Sequence, residues 1–495
     1  MSQTDQTTST TLTPHEVRSI IIGVMLAMFL AALDQTIVAT ALPTIGRLLG
    51  DFENLPWVVT TYLLTSTAVT PLYGKISDIA GRRVTLLVAI GIFMLGSILC
   101  ALAPTMLALI LARALQGLGG GGLISLAQTI IADIVSPKER PRYQGYFASV
   151  FATSSIAGPA LGGFLAEKLH WSAIFWINLP LGLLAFWMTN SLLKKLPRHE
   201  KPHRLDFLGA GLMIMSTTAL LLALSLGGPH YAWTSPTILA LLAVFFVFAV
   251  AFMARLRTAP EPLIPIEILA NPLVAMAIVS ACAGVGVFIG LTIYTPIFLE
   301  GMYGLTASQS GFALIPLMVG TVIGASSTGR MMARLTHYKR PTLIGLAVAA
   351  LGLAVLAIQP QSLPLFALIL ILAAASIGLG TIFPLTLVAI QNAVPPHQMG
   401  TATGTLNFFR SLGGALIVAG FGAIVIGSLP ADLAQKVTIE NLASSFAAAG
   451  SDIGSVFRWV FIAATSGIVI SFLALYVMEE RPLRTTVRPE AGAAE

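Results

Sequence analysis

The chain has 495 residues, of which 56% are hydrophobic and only 10% charged, and its mean hydropathy is +0.87. A soluble domain carries about a quarter of its residues as charges, so this composition excludes a soluble globular protein and points to one embedded in lipid. The formal charge of +6 does not indicate a nucleic-acid surface, because the Lys and Arg residues lie in short segments between apolar runs.

Residues 1–19 are polar and Ser/Thr-rich and read as a disordered tail. A membrane-crossing helix needs about 20 apolar residues. Fourteen stretches qualify: roughly 18–43, 57–77, 84–103, 105–131, 144–167, 173–193, 206–226, 236–256, 273–299, 309–331, 341–359, 364–391, 400–428 and 458–478. Ala39-Thr40-Ala41 imitates a signal cleavage site, but the apolar run before it is too long for a signal peptide, so the first stretch reads as an uncleaved span. With the amino terminus inside, 21 of the 27 Lys and Arg residues fall on the inner side. Arg47, Lys168, Lys436 and Arg458 fall outside, and Arg113 and Arg410 lie within spans. That asymmetry is the positive-inside pattern and places both termini in the cytoplasm. Trp57, Trp171, Trp233 and Trp459 fall at outer interfaces, where amphipathic rings settle. Cys100 and Cys282 sit in apolar segments without zinc-ligand spacing and read as unbridged thiols.

A weak internal repeat divides the chain. Gly74-Lys-Ile-Ser-Asp78-Ile-Ala-Gly81-Arg82-Arg83 after span 2 is echoed by Gly329-Arg330-Met-Met-Ala333-Arg334 after span 10. Treating spans 7 and 8 as an insert gives a six-helix half (20–193), a linker (194–205) and the two inserted spans (206–256). A second linker (257–272) then leads to a second six-helix half (273–478), with an outer loop at 429–457 and a tail at 479–495. Two related halves with a site at their interface is a common secondary-transporter plan.

Ionisable residues inside an apolar run are costly, by about 2.5–3.5 kcal/mol on insertion scales, and so point to function. Asp34, in Leu33-Asp34-Gln35-Thr36-Ile37-Val38, is the one mid-span carboxylate, and Arg113 in the fourth span is its expected partner. A changing distance between them would move the proton affinity of the carboxylate; a static pair joining spans 1 and 4 is the alternative. Arg410 is a second mid-span cation and leaves a formal +1 with that pair, which disfavours dications in the cavity. In the loop after span 2, Asp78 would accept from Arg82 or sit against a helix amino terminus, and Asp133 is a second carboxylate for Arg82. Such pairs would latch the inner face, although Lys75, Arg82 and Arg83 would also serve as a plain topological anchor.

The stretch Leu33-Asp34-x-Thr36-Ile37-Val38-x-x-Ala41-Leu42-Pro43 resembles the first-span motif of the 14-span drug:proton antiporters of the major facilitator superfamily, with Ala39 where Asn is common. Gly74-x-x-x-Asp78-x-x-Gly81-Arg82-Arg83 is similar to the superfamily's loop signature, with Ile79 in place of a basic residue. Arg113-x-x-Gln116-Gly117-x-Gly119-Gly120 is similar to the fourth-span motif. Gly158-Pro159-x-x-Gly162-Gly163 resembles the antiporter motif of span 5, with Ser154 where Gly often leads.

The resemblance implies an all-α major facilitator fold of 14 spans in a bacterial inner membrane, working as a multidrug exporter coupled to proton entry. Asp34 and Arg113 would couple the proton. Gly74, Asp78, Gly81, Arg82, Arg83 and Asp133 would form a conformational latch. Gln35, Tyr62, Gln116, Asn178, Tyr294, Asn407 and Arg410 are candidates for the substrate cavity. Small amphiphiles, protons and lipid are the expected partners, with no nucleic acid, no metal and no cofactor beyond the proton gradient; a periplasmic adaptor is not legible. A dedicated carrier of one metabolite, such as an organic acid, is the alternative on the same scaffold. A membrane enzyme would need an acid/base or metal cluster and a sensor would need a soluble output domain, and neither pattern is present in the sequence.

Overall fold

The computed structural model describes residues 13–51, 54–195, 205–228, 230–335, 337–358, 360–429 and 452–485. The expectations for most of the amino-terminal tail, most of the linker at 194–205, the centre of the outer loop at 429–457 and the end of the carboxy-terminal tail lie outside these residues. Arg198, Lys201, Arg204, Lys436 and Arg488 go with them. Among the described residues every long element is a helix. Hydrocarbon offers the backbone no water, so each spanning segment must pair its own N–H and C=O groups.

Among the described residues fourteen long helices follow in order: α1 (Pro14–Leu49), α2 (Trp57–Ala80), α3 (Arg82–Ala101), α4 (Met106–Ile134), α5 (Arg140–Lys168), α6 (Ala173–Leu192), α7 (Phe207–Leu226) and α8 (Pro236–Thr258). After a short helix at Ile266–Ala270 come α9 (Pro272–Tyr303), α10 (Ser308–Met332), α11 (Arg340–Ile358), α12 (Leu365–Ala393), α13 (Met399–Gly427) and α14 (Ile453–Val477). All but α2 are long and apolar enough to cross a membrane. The exception, α2, has 24 residues, but Thr67, Thr70, Ser77 and Asp78 lower its hydropathy and are buried against neighbours. It packs on α4 and α13, so its polar face meets protein.

Two boundaries differ from the sequence reading. The first helix starts at Pro14, inside the stretch read as a disordered tail. The Thr13 hydroxyl accepts from the Glu16 amide, and the Glu16 carboxylate accepts from the Thr13 amide at 2.8 Å. Residues that depress hydropathy here are the same ones that cap a helix. Likewise Asp452 caps α14, so residues 453–457 belong to the helix and not to the outer loop.

The packing repeats with a shift of eight helices. In the first half α1 packs on α5 and α6, α2 on α4, and α3 on α4 and α6. In the second, α9 packs on α13 and α14, α10 on α12, and α11 on α12 and α14. The halves meet where α2 touches α13 and α5 touches α10, two contacts that exchange under the same shift. The inserted pair lies outside this frame: α7 leans on α2 and α13, and α8 packs on α7 with only Ile238 and Leu256 buried.

The carboxy-terminal segment is bound to the bundle at the end of the helices that carries the Lys- and Arg-rich loops, here called the basic face. Lys339 Nζ donates to the Met478 carbonyl, and the Lys339 amide donates to Glu480 at 2.8 Å. Tyr338, whose phenol is pushed up to about 12 by burial, donates to the Arg481 carbonyl at 2.9 Å. Arg484 closes the end of α12 through the Asn392 and Val394 carbonyls, and its own carbonyl accepts from the Lys138 amide in the first half at 3.2 Å.

Candidate functional site

Polar groups concentrate at two levels of the bundle. The deeper is built on Asp34 of α1 and Arg113 of α4, 0% and 1% exposed. Arg113 Nη1 donates to Asp34 Oδ2 at 2.6 Å and to Gln116 Oε1 at 2.6 Å, and Nε donates to the Val58 carbonyl at 3.0 Å. The guanidinium lies 4.3 Å above the centre of the Tyr62 ring. The other oxygen of Asp34 accepts from Gln116 Nε2 at 2.8 Å and from Asn178 Nδ2 at 2.9 Å. Both amides also donate to Ser97 Oγ, at 2.7 and 3.1 Å. Five helices of one half thus converge on a single carboxylate that accepts three donors. Hydrogen bonds that involve an ionised group are about twice as strong as neutral ones.

Among the cavity candidates, Tyr62, Gln116 and Asn178 are enclosed on this cluster. Gln35, next to Asp34, is half-buried. Tyr294 is buried in the second half, edge-on to Phe421 with ring centres 6.0 Å apart. Three of these residues hold Asp34 and its arginine, and a fourth packs in a core.

The glycines of α5 set the position of α1. A side chain at Gly158 would collide with Thr36, and one at Gly162 with the Ile37 carbonyl, so the backbones touch directly beside Asp34. Thr36 Oγ1 adds a hydrogen bond to the Ser154 carbonyl at 2.8 Å. Gly163 faces open space and Pro159 is exposed, so the motif has one packing side.

The second level is at the basic face. Gly81 has φ +88°, a conformation that only glycine adopts freely, and it turns the chain from α2 into α3. This brings Arg82 between two carboxylates, with Nη1 2.5 Å from Asp78 and Nε 2.6 Å from Asp133. Asp78 reaches across to the other half. Its oxygens accept from the Gly400 amide at 2.9 Å and from the Thr401 amide and hydroxyl, both at 2.7 Å. These are the first amides of α13, where the helix dipole favours negative charge. Both partners expected for Asp78 therefore bind it at once. Gly74 lies so close to the Gly400 carbonyl that any side chain there would overlap it. Gly329 abuts the Pro141 carbonyl in the same way on the repeat-related side. Arg83 donates to Asn190 of α6 and is an anchor within its own half.

Between these levels Asn407 Nδ2 donates to Gln128 Oε1 of α4 at 2.7 Å, a direct bond between the halves. Arg410, one turn further along α13, donates to Thr386 Oγ1 at 2.7 Å, to the Phe383 carbonyl at 3.0 Å and to Asn407 Oδ1 at 3.4 Å. A cavity of about 440 Å3 opens on the basic face beside the latch, lined by Lys75, Arg257, Glu267 and Thr401 among others, and none of its lining residues belongs to the Asp34 cluster.

Sequence reasoning missed Ser97, Gln128 and the Gly400–Thr401 amides. Ser97 and Gln128 are polar residues in apolar runs, a signal available but weak, since a lone hydroxyl or amide is common in membrane helices. The start of α13 was announced by Pro395-Pro396, but nothing local says which carboxylate it receives.

Comparison with known proteins agrees with this architecture. The profile described as Major Facilitator Superfamily matches residues 24–418. Multidrug resistance protein 3 of Bacillus subtilis is 36% identical over 416 residues, covering 84% of this chain and 81% of that protein. The multidrug transporter protein MdtP of the same organism is 34% identical, covering 87% and 80%. Among solved structures, the human organic anion transporter MFSD10 superposes with a TM-score of 0.64 at 16% identity, covering 94% of this chain and all of that one. The proton:xylose symporter XylE gives 0.64 at 13% identity, covering 96% and 97%. Fold, helix repeat and sequence together assign this chain to the major facilitator superfamily, as a multi-pass membrane transporter.

Proposed function

We propose that the protein is a proton-coupled antiporter of a bacterial cytoplasmic membrane that expels hydrophobic or amphipathic compounds by alternating access. The observation that supports this reading best is the Asp34 cluster, a carboxylate sealed in a transmembrane bundle and paired with an arginine on another helix. A proton arriving at Asp34 would cancel the ion pair and release Arg113, which changes the packing of α1 on α4. Asp78 and Arg82 are the proposed latch for the outward-open state. A structure with the basic face closed, as here, is what that state requires if the basic face is cytoplasmic. The multidrug relatives supply the substrate class, and nothing in the site favours a single metabolite over it.

The test is substrate-induced proton flux in proteoliposomes loaded with a pH-sensitive dye, comparing wild type with Asp34→Asn. Flux in the wild type that is lost in a variant still binding substrate is the expected result. Equal flux in both would reduce Asp34 to a structural partner of Arg113, and no flux with a broad drug panel would favour the single-metabolite carrier.

A further inference from the structure

Two arginines lie deep in the spans, and the structure treats them differently. Arg113 has a carboxylate at 2.6 Å. Arg410 is 7% exposed, and it donates to neutral oxygens: a threonine hydroxyl, a main-chain carbonyl and, at a longer distance, an asparagine. Its Nε, fully buried, has no acceptor among the described residues. A guanidinium has five donors in a rigid fork, matched to a carboxylate or a sulfonate. A charge in hydrocarbon without a counter-ion is expensive, so a counter-ion that arrives and leaves is a natural use of one.

The surroundings suit an amphiphile. Phe383 lies against the guanidinium, with the charge 5.5 Å from the ring centre, and meets Phe288 edge-on at 6.2 Å. Phe288, Phe383 and Phe409 are partly exposed, as is Asn407 at the junction of the halves. An apolar body on these rings would place an attached oxyanion beside Arg410.

Resting on the antiporter reading, we propose that Arg410 is the anion anchor of the substrate site and that the preferred substrates are amphiphiles bearing one oxyanion, such as a carboxylate, phenolate or sulfonate, on an aromatic or alkyl body. Such a ligand neutralises the +1 left by Asp34, Arg113 and Arg410, whereas a dication raises it to +3. Expelling a monoanion is also favoured by an inside-negative membrane potential. The bond from Asn407 to Gln128 makes the anchor sensitive to the approach of the two halves, because Asn407 touches both Arg410 and the opposite half.

The experiment uses the full chain in nanodiscs and proteoliposomes with three probes: 1-anilinonaphthalene-8-sulfonate, its uncharged analogue N-phenyl-1-naphthylamine, and the dication propidium. In the wild type the sulfonate should bind at least tenfold more tightly than the uncharged analogue. Arg410→Gln should abolish that preference by weakening sulfonate binding more than binding of the uncharged probe, and Arg410→Lys should retain part of it. Asn407→Asp keeps the arginine and supplies an internal counter-ion, so it should also remove the preference; this keeps the idea testable if Arg410→Gln does not fold. Equal sulfonate affinity in wild type and Arg410→Gln, tighter binding of propidium than of the sulfonate, or displacement of the sulfonate by chloride alone would each overturn the assignment. Proton flux driven by the uncharged probe alongside such a result would leave the antiporter reading standing, whereas absence of flux with all three would remove that reading itself.

Discussion

Asp34 is held by three donors from two helices other than its own, and they are not equivalent. Arg113 carries charge, while Gln116 and Asn178 contribute neutral amides. Removing a neutral donor from a buried site costs about 1–3 kcal/mol. Removing the charged partner strands an ion and costs about 3–5 kcal/mol. Thermal unfolding in nanodiscs should therefore show a moderate loss for Asn178→Leu and a larger one for Arg113→Leu, and equal losses would mean that Asp34 is neutral in the resting protein. The ion pair was legible in the sequence because both residues interrupt apolar runs. Asn178 and Ser97 were not assigned to it, because they approach from α6 and α3 and no sequence spacing relates three helices.

At the scale of the helix, the α5 motif gives two adjacent glycines opposite roles. Gly162 meets the α1 backbone and Gly163 meets nothing within 4 Å. Gly162→Ala should force α1 and α5 apart and destabilise the protein by about 1–3 kcal/mol, the usual cost of overpacking. Gly163→Ala should be neutral or slightly stabilising, since alanine favours the helix by about 1 kcal/mol over glycine. Matching melting temperatures for the two variants would contradict this contact. Glycines three and four apart allow two helix backbones to approach closely, but the spacing does not identify the partner helix. A small-residue stripe shows that something comes near without naming it.

For the whole molecule, the contacts between halves at the basic face combine a charged clasp with close glycine packing. Asp78 binds the first amides of α13, whereas the repeat-related position, just past the end of α10, is Ala333, and the pseudo-symmetric side packs through Gly329 on Pro141 and Gly145 on Ser326. The Lys138–Arg484 bond adds a third tie between the halves. Asp78→Asn removes the charge from the clasp and should shift the population towards opening at this face. Spin labels at the exposed positions Arg142 on α5 and Arg330 on α10 would report it, as a longer distance population in the variant than in the wild type. An unchanged distance distribution would make Asp78 a local cap and nothing more.

Composition and the placement of charges alone pointed to the membrane class and to the pairing of Asp34 with Arg113, because each depends on residues whose cost in hydrocarbon is large and local. The tertiary structure decided what depends on distance between helices. It placed Gln116, Asn178 and Ser97 on the carboxylate, gave Asp78 both of its possible partners, and left Arg410 with neutral acceptors. It also bound the start of the carboxy-terminal tail to the basic face. Those outcomes rest on which helix faces meet, and a hydrogen bond across 100 residues of sequence leaves no periodic trace in the residues that make it.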